Sequence, residues 1–197
     1  MSRRFSLSPG AILVLSSVYF FGGIKSLAAV ILAASVHEAG HAAAIYASGG
    51  RVRGLRFDSS GLCMSGAGVL SVSGEVTALL AGPLAGFALA YVCAVLGCER
   101  ADDLLLRTSG ISLALSAYNL LPALPLDGGR ALYCLLCRFI SEAKAESTVY
   151  FTSVVSALIL AALGLVMRFS ELGFVLFISS MWLLIAQTGI VKSMSML

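Results

Sequence analysis

A chain of 197 residues that is 59% hydrophobic and 12% charged, with a mean hydropathy of +0.97, cannot clothe itself for water. Soluble domains carry about 25% charged residues, so much of this exterior must face lipid. The net charge of +3 argues against nucleic acid as the main partner, and the placement of the positive residues carries more information than their sum.

The length suits one domain, read here as a single integral-membrane domain over residues 1–197 with its core at 26–140. A membrane-crossing helix needs roughly 20 mostly apolar residues. Six segments approach this: 9–24, 26–48, 76–97, 104–121, 148–168 and 172–191. The first is short and follows Arg3 and Arg4, which is also how a signal peptide begins. Its apolar run continues through Gly22-Gly23 into the next segment, which favours a retained helix.

Residues 49–74 have a different texture. Arg51 to Phe57 alternates polar and apolar residues, Asp58-Ser59-Ser60-Gly61 is a turn signal, and Leu62–Met64 and Val69–Val72 read as short strands. Ser141 to Ser147 is a short polar linker. The predicted fold class is therefore an all-α polytopic membrane protein with about six transmembrane helices and a small β-hairpin or sheet near 49–74. With the N-terminus in the cytoplasm, nine of the 13 Lys and Arg residues fall inside, leaving Lys25, Arg100, Arg107 and Arg168 outside. That bias obeys the positive-inside rule and puts both termini in the cytoplasm. The five cysteines form no disulfide-like framework, and Cys134-x-x-Cys137, in an apolar helical stretch, reads as a packing pair.

Ionisable groups within a membrane are costly and are retained for function. The second segment holds His37, Glu38 and His41, and the remaining segments hold only Arg107 and Arg168, each near an end. His37-Glu38-Ala39-Gly40-His41 matches H-E-x-x-H, and these are the only two histidines in the chain. Residues four apart share one helix face, so both imidazoles can grip one zinc ion, while Glu38 is offset towards an attacking water. A structural role for the trio is disfavoured, because Leu or Ala would pack there at far lower cost. A catalytic zinc site uses three protein ligands. The candidates for the third are Asp127, Glu75, Asp58 and the acids near Asp102. Asp127 is preferred for its surroundings: Pro122 and Pro125 break the fourth segment, and irregular backbone at membrane depth is tolerated only against protein or a hydrated cavity. The alternative there is a proline-kinked helix with Asp127 capping the next one.

At these residues the sequence resembles the site-2 protease family of intramembrane zinc metalloproteases. That family joins H-E-x-x-H to a later N-x-x-P-x-x-x-L-D-G, filled here by Asn119, Pro122, Leu126, Asp127 and Gly128. The likeness covers roughly residues 26–140 and is nearest the compact bacterial branch without a PDZ domain, which includes the sporulation protease that processes a pro-sigma factor. One departure is Gly86, where many members have an asparagine after the Gly-Pro pair that here is Gly82-Pro83. The resemblance implies one Zn2+ per chain on His37, His41 and Asp127, with Glu38 activating water and Asn119 holding the substrate backbone or the oxyanion. It further implies regulated intramembrane proteolysis of a membrane-associated protein, such as a pro-sigma or anti-sigma factor, from a bacterial cytoplasmic membrane with the site towards the cytoplasm. The competing function is a non-proteolytic membrane protein that binds or transports a metal on the same ligands. Glu38 separates the two, since a binding or transport site does not need it.

Overall fold

The computed structural model describes residues 6–7, 9–49, 51–58, 61–67, 71–167, 169 and 171–194. The chain divides into two compact units, Met1–Tyr118 and Asn119–Leu197.

In the first unit, β1 (Ser6–Leu7) precedes α1 (Pro9–Ala47). Gly23 interrupts α1 with φ 70° and ψ −175°, a left-handed backbone that glycine reaches without a Cβ penalty. The strands β2 (Arg51–Asp58) and β3 (Gly61–Ala67) pair antiparallel, from Arg51 opposite Ala67 to Asp58 opposite Gly61, with a register irregularity between Val52 and Gly54. β1 lies parallel to β2, giving the order β1-β2-β3.

Helix α2 (Val72–Arg100) opens on Ser71, whose Oγ accepts from the Gly74 N–H at 3.2 Å. This cap explains why Val72 is helical and not the end of a strand. α2 closes on Ala101 in the left-handed region (φ 50°). Asp102 then caps α3 (Asp103–Asn119), its Oδ1 accepting from the N–H groups of Leu104 and Leu105. The buried stripe of α1 is Ala29, Ala33 and His37, and that of α2 includes Ala78, Gly82, Gly86, Ala90, Cys93 and Gly97. α3 buries Thr108, Ser112 and Ser116. Small residues let helices approach closely, and hydroxyls then bond across the gap. Ser109 Oγ donates to the Ala90 carbonyl and Ser112 Oγ to that of Gly86, both at 2.8 Å.

In the second unit, residues 120–126 are irregular, followed by α4 (Asp127–Leu136), α5 (Glu142–Val166) and α6 (Glu171–Met194). α5 buries Val149, Ser153, Ala157 and Leu160, and α6 buries Ser180, Leu183 and Gln187, each at helical spacing.

Two parts of the predicted fold class are corrected. Among the described residues six helices form, but only Gly22–Ala47, Val72–Arg100 and Glu142–Val166 are long and apolar enough to cross a bilayer. The expected total of about six spans fails for identifiable reasons. The break at Gly23 leaves Pro9–Gly22 short. α3 has 17 residues and carries Asp103 and Arg107, and the apolar part of α6, Gly173–Thr188, is also short. The β insertion expected near 49–74 is corrected as well: of its last predicted strand, Val69–Val72, Val72 opens α2, and residues 69–70 lie outside the described residues. Outward-facing apolar residues, among them Phe20 (82% exposed), Tyr91 (72%) and Phe151 (67%), suit a lipid surroundings and not water.

Candidate metal centre

The metal-ligand pattern sits in the second half of α1, where the buried stripe Ala29-Ala33-His37 advances by one helical turn to His41. Small residues of α2 receive it. A Cβ on Gly82 would lie 2.2 Å from His41 Nε2 and 2.4 Å from its Cε1, so any other residue at 82 would occupy the space of the imidazole. Gly40 does the reciprocal service, its missing Cβ leaving room for the Ala81 carbonyl and the Ala85 methyl. Pro83 follows inside the same helix and lacks the N–H that would bond the carbonyl of Leu79.

His41 Nδ1 lies 2.7 Å from the Ala78 carbonyl oxygen. A carbonyl can only accept, so Nδ1 carries the proton that is donated to it, and a metal would be met by Nε2. Such a second partner is what orients a metal-binding histidine. His37 Nε2 stands 3.2 Å from His41 Nε2, with the ring centroids 4.8 Å apart and the planes at 82°. Two nitrogens bound to one tetrahedral zinc at about 2.0–2.1 Å are separated by about 3.3–3.4 Å, so the observed spacing fits a shared ion. Ligand atoms of His37, Glu38 and His41 all lie within 4.8 Å of one another, and among the described residues this trio forms the metal-capable group. His37 is 5% exposed, so its ring lies within the packed helices, while Glu38 beside it is half-buried.

Asn119 ends α3 and Asp127 opens α4, both in the second unit. Of the competing third ligands, Asp102 is engaged as a helix cap, Glu75 sits in the first turn of α2, and Asp58 ends β2. Sequence reasoning did not single out Ala78 as the carbonyl partner or Gly82 as the imidazole seat. The Gly82-Pro83 pair was a usable signal, since a glycine inside an apolar helix is costly unless a neighbour needs its space.

Comparison with known proteins gives the same direction. The family model described as Peptidase M50B-like matches residues 11–125. Among solved structures, a site-2 protease from Methanocaldococcus jannaschii superposes with a TM-score of 0.70 at 22% identity, over 94% of this chain and 89% of that one. No curated protein matches by sequence.

Proposed function

This chain belongs to the Peptidase M50B-like family, and from that premise we propose that His37, His41 and Asp127 hold one zinc ion while Glu38 is the general base. The protein is an integral membrane metalloprotease of the site-2 protease type, and its substrate is a protein. The scissile bond lies in or beside a membrane-embedded segment, and pro-sigma or anti-sigma factors are the favoured substrates.

The single observation that carries this reading is the pair of Nε2 atoms 3.2 Å apart, one of them on a ring whose Nδ1–H donates to Ala78. Zinc, when bound, supplies the Lewis acidity that amide hydrolysis near neutral pH requires. Glu38 takes a proton from the attacking water and passes it to the leaving amine. Its place in the trio suits that task. Asp127 supplies the third ligand, because two imidazoles leave a catalytic zinc one protein donor short. Asn119 holds the substrate backbone or the developing oxyanion. A helical substrate has its peptide groups hidden in its own hydrogen bonds, so it must unwind locally before cleavage.

Charge supports a cytoplasmic site. The connection between the first two spans carries Arg51, Arg53 and Arg56, whereas the opposite ends of those spans carry Lys25 and Arg100. The positive-inside rule puts the three-arginine side in the cytoplasm, and His41 lies near the Ala47 end of its helix.

Glu38→Gln tests the reading in proteoliposomes carrying a single-span reporter substrate. Zinc content is expected to stay at the wild-type level while cleavage falls by about 10²- to 10⁴-fold. Cleavage persisting at the wild-type rate would remove Glu38 as base and the mechanism with it.

A further inference from the structure

The segment that leads into Asp127 is irregular. Pro122 and Pro125 each lack an N–H, so residues 120–126 cannot stabilise themselves as a helix. Two short internal bonds remain, Ala123 N–H to the Leu121 carbonyl and Leu126 N–H to that of Ala123. The Leu124 peptide groups bond elsewhere. Its N–H donates to Ser153 Oγ on α5 at 2.9 Å, and its carbonyl accepts from Gln187 Nε2 on α6. Ser153 Oγ in turn donates to the Val149 carbonyl at 2.6 Å, which fixes the hydroxyl as an acceptor for Leu124.

Both side chains are buried, Ser153 fully and Gln187 at 3% exposure. Gln187 is a costly residue for that position. Among the described residues its Oε1 is buried with no hydrogen-bond partner, and an apolar side chain of similar volume would avoid that penalty. What Gln187 gains is the bond to Leu124. That bond matters because α4 rests directly on the same segment. A Cβ on Gly128 would fall 2.2 Å from the Leu120 carbonyl oxygen, and one on Gly129 would fall 2.3 Å from the Ala123 carbonyl carbon. The first turn of α4, which begins at Asp127, therefore has no slack against residues 120–124. A shift of the Leu124 peptide is passed to Asp127.

We infer that Gln187, assisted by Ser153, is a positioning residue that sets the Asp127 carboxylate for metal binding. This rests on the proposed role of Asp127 as third ligand. Partners one step removed from a metal ligand commonly contribute 10- to 100-fold in metal affinity. The role is assigned to a residue outside both sequence motifs, on the last helix of the chain.

The test is zinc affinity of the full-length protein in detergent, read by chelator competition, for Gln187→Leu, Asp127→Ala and the double variant. Gln187→Leu is expected to bind zinc about 10- to 100-fold more weakly. Combined with Asp127→Ala it should cause no further loss, because the ligand it positions is gone. Ser153→Ala breaks the other half of the clamp from a different helix and should weaken zinc in the same direction. Ser180→Ala is the control: it removes a fully buried hydroxyl from the same helix as Gln187, one that donates to the local Phe177 carbonyl, and should leave zinc affinity unchanged. Wild-type affinity in both Gln187→Leu and Ser153→Ala overturns the inference and leaves the zinc-ligand reading standing. Losses that add in full on the Asp127→Ala background also overturn it, since they would mean general damage. Wild-type affinity in Asp127→Ala alone removes the third-ligand reading, and this inference falls with it.

Discussion

The histidine helix and the Asp127 segment solve one problem, the fixing of a polar group among apolar helices, in opposite ways. In the first unit, His37 and His41 stand on an unbroken stretch of helix, and its 3.6-residue period alone aligns them. The neighbouring helix contributes space and a single carbonyl. In the second unit the backbone before Asp127 is irregular, and side chains from two other helices hold it by the Leu124 peptide. The first arrangement is spoiled by adding atoms, the second mainly by removing hydrogen bonds.

That contrast can be broken by substitution. The largest expected effect is from Gly82→Val, whose side chain would occupy the position of the His41 ring. Zinc affinity should fall by about 100-fold or more, as befits displacement of a ligand and not merely of its support. A variant with wild-type zinc binding would mean that the imidazole is not held where the structure has it. Gly129→Ala asks whether the second unit is also intolerant of added volume. Its Cβ meets backbone atoms of Ala123 that cannot swing away, so a loss of about 1–3 kcal/mol in stability is expected, measurable as a lower Tm in detergent. An unchanged Tm would show that this segment yields and that the contrast between the units is overdrawn.

Smaller effects sharpen the comparison within the first unit. Ser112→Ala removes one bond between α3 and α2, and such bonds within membranes average about 0.6 kcal/mol. Thermal unfolding should register a drop of that size with zinc affinity intact, since the bond holds helices and not the ligand. The smallest effect concerns Asp103, outside the three spans. The Arg107 side chain, hydrogen-bonded to it at 2.9 Å, holds its carboxyl below the usual carboxylate range, with Lys25 at 3.6 Å adding to the same effect. A lowered folded-state value means stability that is present above the ordinary pKa of about 3.9 and lost as pH falls through the folded value. The group is exposed, so the contribution is slight. Arg107→Gln should flatten the acid limb of a Tm-against-pH curve in that window while leaving the curve at neutral pH nearly unmoved.

Much of the candidate site was legible without coordinates because its chemistry follows from spacing. Glutamate and two histidines in an apolar helix are too costly to be ornamental, and four-residue spacing is enough to predict that the imidazoles converge, as they do. The helical stretches were equally readable from their apolar runs. The number that cross a membrane was not, because spanning depends on where helices end. Those ends were set by Gly23 in a left-handed conformation, by Asp102 capping α3, and by Ser71 starting α2 where a strand had been expected.

By itself, then, the sequence determined the kind of solvent the protein lives in and the meeting of His37, Glu38 and His41 on one helix as a group able to hold a metal. These depend on composition and local periodicity, which are properties of neighbours along the chain. Tertiary structure alone decided which carbonyl fixes the His41 tautomer, why residue 82 is glycine, and which helices clamp the Leu124 peptide. Each of those is a contact between residues 29 to 63 positions apart, and no local pattern encodes the meeting of groups so distant until the helices pack.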